Sequence, residues 1–156
     1  CWTGLRFGDW KDLSEAEINN DTMVVHTHKT NTTVVIPLHP MVKAILTKYN
    51  GRLPKSVDKT HTLKQIRKCA ELAGISEHIS LSRVKGGQSV IKRGEKHQFL
   101  MNHTARRSFA TNMYLRGVPS ISIMAITGHT TEANFLKYIK VDKLQHAKIV
   151  AQAFAQ

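Results

Sequence analysis

The chain has 156 residues, enough for one domain with a real core, and its apolar share of 41% excludes general disorder. Its 23 basic and 11 acidic side chains leave a net charge of +12, which favours a polyanionic partner, most simply nucleic acid, over a merely solvated basic surface. Cys1 and Cys69 lack C-x-x-C spacing, which argues against a disulfide framework or a structural zinc site and fits reduced, buried thiols in an intracellular protein; no run is long enough to span a membrane and none resembles a signal.

The chain opens at Cys1-Trp2-Thr3 without a methionine, and is expected to be a fragment whose N-terminal part is absent. In the stretch Thr3-Gly4-Leu5-Arg6-Phe7-Gly8-Asp9 two glycines surround one arginine, a pattern for a tight turn in which Asp9 can hold Arg6 in a fixed pose. Residues 11–38 read as strands. TMVVHT (22–27) and TTVVI (32–36) are rich in β-branched residues and flank the polar turn His28-Lys29-Thr30-Asn31, and a further strand is possible near Ala16–Ile18. This hairpin puts Lys29 at its tip, where it either reaches into a groove or simply solubilises a turn. His26 and His28 lie two apart on one strand, a spacing metals can use, but no third ligand is evident.

Pro40–Tyr49 has helical spacing, and Asn50–Thr60 reads as a loop. Thr62–Ala73 reads as a helix stopped by Gly74, with Lys64, Arg67 and Lys68 on a basic face that is either DNA-facing or solvated. Residues 79–96 suggest a second hairpin turning at Gly86-Gly87, made basic by Arg83, Lys85, Lys92, Arg93 and Lys96. His103–Arg116 reads as a helix closed by Gly117, its buried stripe Ala105, Phe109 and Met113, with Arg106 beside the stripe at a cleft edge. Pro119-Ser120 starts a short helix ending at Gly128-His129. Thr130 or Thr131 can cap a helix carrying Phe135, Leu136 and Tyr138. Asp142 can cap the last helix, where Leu144, Ala147, Ala151 and Phe154 repeat at helical spacing.

The segment from His103 to Tyr138 gathers two imidazoles, a guanidinium and a phenol. His103 and Arg106 stand at i,i+3, about 60° apart on a helix. A phenol is only about one part in a thousand ionised at neutral pH, and neighbouring positive charge stabilises the phenolate. Arginine suits a tetrahedral phosphate because its planar fork gives two parallel charge-assisted hydrogen bonds. Arg6 and Arg106 can thus neutralise phosphate oxygens as charge grows, Lys29 can protonate a leaving oxygen, and the histidines can relay the tyrosine proton. Each part is common alone: a tyrosine on an amphipathic helix is usually a core-edge residue, and a histidine after glycine is often a helix-end feature. The specificity lies in the combination. No acidic cluster suited to magnesium is apparent.

These residues resemble the catalytic domain of the tyrosine recombinases, the phage-integrase type of site-specific recombinase. TGLR around Arg6 resembles the family's first arginine box, and HTARRSFAT its H-x-x-R element. TGH followed by Tyr138 resembles its Gly-His and nucleophile spacing, and VVHTHKTNTTVVIPL its lysine-bearing hairpin. TTVVIPL and SISIMAITGH are most similar to integrases of bacterial, Bacteroides-like mobile elements. The resemblance implies an α+β, mostly helical fold of the DNA breaking-rejoining type with a small antiparallel sheet, as a single catalytic domain over 1–156 without the N-terminal DNA-binding core domain. It implies that Tyr138 attacks a DNA phosphodiester to leave a 3′-phosphotyrosine, that Arg6 and Arg106 stabilise the transition state, and that Lys29 is the general acid. His103 would assist as acid–base and His129 would hydrogen-bond the phosphate.

No cofactor and no metal are expected. The expected partners are double-stranded DNA and further copies of the chain in a tetramer on that DNA, with no membrane, in the bacterial cytoplasm at the nucleoid. Lys64, Arg67, Arg83, Lys85 and Arg93 are the candidate DNA contacts. Thr127 departs from the leucine many members carry before Gly-His, and Asp9 from a frequent glutamate. The alternatives are a type IB topoisomerase-like strand-passing enzyme, a DNA-binding module without catalysis, and a metal-dependent nuclease built on the histidines.

Overall fold

The computed structural model describes residues 1–11, 13, 16–53 and 57–154; the side chains at 83, 85, 152 and 153 also lie outside that description. The chain divides into two compact units, one made of residues 1–56 and 103–156, the other of residues 57–102.

The first unit begins with a short helix α1 (Phe7–Lys11) and an antiparallel sheet of β1 (Glu17–Ile18), β2 (Thr22–Thr27) and β3 (Thr32–Pro37), in that order. The burial of one strand face decides the register. Met23 pairs with Ile36, Val25 with Val34 and Thr27 with Thr32, so one face collects all six side chains. Met23, Val25, Val34 and Ile36 are buried with Leu5 and Leu38 in a core completed by Val42 and Leu46 of α2 (Pro40–Lys48). Along that helix Val42 and Leu46 face the core and Met41 and Ile45 remain exposed. His26 is engaged by the hairpin itself, with Nε2 2.9 Å from Asn31 Oδ1 and Nδ1 3.3 Å from Thr33 Oγ1, and His28 stands beyond the strand end.

After residue 103 the unit continues with α4 (Thr104–Leu115), α5 (Ser120–Thr127), α6 (Glu132–Leu136) and α7 (Lys143–Phe154). Phe109, Ala110, Ile123 and Phe135 are buried together and Tyr138 packs against them. Three expectations are corrected here. His103 caps α4 rather than belonging to it, Arg106 is 1% exposed rather than at a cleft edge, and Tyr138 stands beyond the end of α6. Asp142 does cap α7: Asp142 Oδ1 accepts from Gln145 N at 2.8 Å, and Gln145 Oε1 accepts from Asp142 N at 3.0 Å. The apolar residues of α7 are not buried, since Leu144 is 66% and Phe154 85% exposed.

The second unit holds α3 (Lys59–Leu72), the antiparallel pair β4 (His78–Lys85) and β5 (Gln88–Glu95), and a 3₁₀ turn at Lys96–Phe99. The helix starts earlier than the sequence suggested because Asp58 accepts from the backbone of Thr60 and His61. Residues 54–56 of the expected loop lie outside the described residues. Both cysteines are free and exposed, which corrects the expectation of buried thiols. No helix among the described residues is long and apolar enough to cross a membrane.

Candidate active site

The site is built in the first unit around the buried Arg106 guanidinium. Gly4 has φ +65°, and a Cβ there would come within 2.7 Å of the Phe109 ring and 2.9 Å of the Thr127 methyl. Only glycine permits that close approach, and it aims the Gly4 carbonyl at Arg106 Nη1, 2.9 Å away. On its other side Arg106 Nη2 lies 3.1 Å from His129 Nε2 and 3.3 Å from Nδ1. Its Nε is buried without a hydrogen-bond partner among the described residues. Burial, then repulsion from Arg6, lowers its pKa to about 10, leaving it a cation at neutral pH.

His129 is delivered by the end of α5. Gly128, at φ +65°, reverses the chain in the left-handed conformation, and His129 N returns to the Met124 carbonyl at 3.1 Å. Gly128 O accepts from Arg6 Nη2 at 3.4 Å, so one turn orients a histidine and receives an arginine. Burial and the nearby Arg106, Arg6 and His103 lower the His129 pKa from 6.5 to about 4, so the ring is neutral at pH 7.

Tyr138 closes the front. Its hydroxyl is 2.5 Å from His103 Nε2, and its ring lies 5.6 Å from the Arg106 guanidinium carbon and edge-on to His129. The His103 pKa is lowered, first by partial burial and then by Arg106, Arg6, Arg107 and Lys29. A neutral imidazole at this distance can accept the phenol proton.

Arg6 and the hairpin turn share Asp9, which is 2% exposed. Asp9 Oδ1 accepts from His28 N at 3.0 Å, and Oδ2 is 4.0 Å from Arg6 Nη1. The turn is further tied by Thr27 Oγ1, which lies 2.8 Å from Thr30 Oγ1 and 3.0 Å from Thr32 Oγ1. Lys29 is exposed at its tip. A cleft of about 430 Å³ is lined by Arg6, Lys29, Thr30, His103, His129 and Tyr138, and also by Thr130, Asn134 and Lys137. The structure therefore brings all six candidates into one neighbourhood: five line the cleft, and Arg106 lies behind it under Tyr138. Sequence reasoning passed over Thr127, Asn134 and Lys137 as site residues. Only the cation at 137, next to the tyrosine, offered a signal.

The candidate DNA contacts sit in the second unit. Lys64 and Arg93 are exposed, whereas Arg67 Nε donates to Leu100 O at 3.1 Å and so stitches its own unit. The side chains of Arg83 and Lys85 lie outside the described ones. Among the described residues no group of three or more His, Cys, Asp or Glu side chains could hold a metal.

A tyrosine set against a histidine and two arginines in this α+β framework defines a class. Residues 1–145 match the model of the phage integrase family, and the chain belongs to that family. The XerC tyrosine recombinases of Rickettsia typhi and Rickettsia prowazekii are each 25% identical over 150 residues, covering 94% of this chain and 46% of theirs. The chain thus spans about half the length of the curated relatives it matches. The fold is that of solved recombinases. XerA superposes with a TM-score of 0.69 at 18% identity over 97% of this chain and 54% of its own. XerH, in a post-cleavage complex with its palindromic difH substrate, gives 0.63 at 16% identity over 99% and 43%.

Proposed function

We propose that this chain is the catalytic part of a site-specific recombinase that cuts and rejoins double-stranded DNA through a covalent tyrosine intermediate. The observation that carries the reading is Tyr138, with its hydroxyl on a neutral His103 and its ring over a buried arginine. The phenol oxygen attacks the phosphorus while its proton passes to His103 Nε2. The bond from phosphorus to the 5′-oxygen breaks, and Lys29 protonates that oxygen. The product is a 3′-phosphotyrosine and a free 5′-hydroxyl. Arg6 and Arg106 stabilise the charge that develops on the non-bridging oxygens, and His129 borders the same oxygens. Arg106 reaches them once the Tyr138 ring swings off the guanidinium toward the substrate. The phosphotyrosine keeps the bond energy, so attack by a 5′-hydroxyl from another strand rejoins the DNA without a nucleotide cofactor or a metal.

The DNA partner is supported by the +12 charge and by the DNA-bound state of the similar XerH. Assembly into a tetramer on DNA, a nucleoid location and the affinity to Bacteroides-like mobile-element integrases belong to the same reading. Incubating the full-length protein with a nicked suicide substrate in EDTA tests it on a denaturing gel. A covalent protein–DNA band that Tyr138→Phe abolishes, with DNA binding retained, is the expected result. Binding without a band in the native protein would favour a non-catalytic DNA-binding module, and a band retained by Tyr138→Phe would overturn the nucleophile.

A further inference from the structure

We propose that Thr127 is a positioning residue that holds His129 in the tautomer with its proton on Nδ1, leaving Nε2 as the ring atom for an incoming phosphate. Thr127 is the last residue of α5 and is 1% exposed. Its methyl lies beside Gly4, where an added Cβ would stand 2.9 Å away. Its hydroxyl lies 2.7 Å from Ile123 O and 2.7 Å from His129 Nδ1.

A hydroxyl has one proton, and a carbonyl oxygen can only accept. The Thr127 proton therefore goes to Ile123 O, and the Thr127 oxygen turns a lone pair to His129. A 2.7 Å contact with that lone pair needs a proton on Nδ1. The ring is neutral, so Nε2 is bare, while Arg106 Nη2, 3.1 Å from Nε2 and 3.3 Å from Nδ1, stands over the ring and selects neither nitrogen. The chain of bonds then runs from His129 to Thr127 to the α5 backbone. A leucine at position 127, the residue many family members carry, would supply no acceptor. Thr127 thus replaces freedom in the ring with a single orientation. It also reserves Nε2 for the cleft: when a phosphate offsets the charge of Arg6 and Arg106, any proton the ring gains enters at Nε2, facing the phosphate.

The proton on Nδ1 stands on this geometry alone; only the use of Nε2 in the cleft rests on the recombinase reading. Long-range ¹⁵N–¹H correlations of the His129 ring, identified by their loss in His129→Gln, decide it in the native protein. A protonated Nδ1 is expected, retained in Thr127→Ser and lost in Thr127→Val. A protonated Nε2 in the native protein, or an unchanged ring in a folded Thr127→Val, overturns the proposal. On nicked DNA, covalent-adduct formation is expected to fall about tenfold in Thr127→Val and to recover in Thr127→Ser, as when an outer partner of a functional histidine is removed. Equal rates in both variants would overturn the positioning role. Absence of adducts from the native protein would instead count against the recombinase reading and leave the ring spectra to decide the tautomer.

Discussion

Tyr138 and His103 are joined through the phenol oxygen and Nε2, 2.5 Å apart, although 35 positions separate them in the chain. Partial burial of the ring, and then four cations, keep His103 below the usual imidazole range, so the base form prevails at neutral pH. If His103 takes the phenol proton, single-turnover cleavage is flat around neutrality and falls in acid, with a midpoint below 6.5. His103→Gln should slow cleavage by about 10²–10⁴-fold and remove that acid limb. Rates measured from about pH 4 to about pH 8 check this, and an unchanged limb in the variant would assign it to another group.

The depressed pKa of His129 also makes a stability prediction. The unfolded chain binds a proton near 6.5 and the folded ring only near 4, so acid favours unfolding. This stabilisation is fully present above pH 6.5 and is lost as the pH falls through about 4. His103 acts in the same direction. His129→Gln should therefore make the fall of the unfolding midpoint with pH shallower without abolishing it. Denaturation at a series of pH values measures the slope.

Gly4→Ala combines a left-handed backbone with a Cβ driven to 2.7 Å from Phe109. The expected cost is about 1–3 kcal/mol, read by denaturant unfolding. Because the Gly4 carbonyl holds Arg106, cleavage should fall by more than the loss of folded protein explains. Gly51→Ala, also at positive φ but with nothing within 4 Å, should cost less and leave cleavage unchanged.

Removing residues from Leu144 onward deletes a helix whose Leu144, Val150 and Phe154 are exposed. If α7 packs on a neighbouring copy, the truncated protein should lose assembly on DNA, measured by sedimentation, more than it loses suicide-substrate cleavage. Equal losses would mean that α7 serves its own unit.

The sequence was most readable where one face of an element is buried. The β-branched runs at 22–27 and 32–36 and the polar turn between them mark the hairpin that carries Lys29, and burial of one face then sets its register. The H-x-x-R spacing, Gly-His and the downstream tyrosine marked residues that do converge, and the family they suggested is the family of the chain. The placement of Arg106 was not readable. Helical spacing puts it beside an apolar stripe, but its burial depends on a carbonyl 102 positions away. Tyr138 was placed on a helix because Phe135 and Leu136 precede it, yet α6 ends before it and leaves the tyrosine on the connecting segment. Thr127 read as a mild departure because its hydroxyl acquires a partner only after Gly128 reverses the chain.

Asp9 makes mechanical partners of two groups that sequence separates. One oxygen of the buried carboxylate holds the turn before Lys29 and the other faces Arg6. In the proposed reaction a displacement of the hairpin turn would therefore be felt at the arginine, linking the general acid to the phosphate clamp. DNA that failed to seat the hairpin would then also fail to find its phosphate gripped, and the tyrosine would be spared a premature cut.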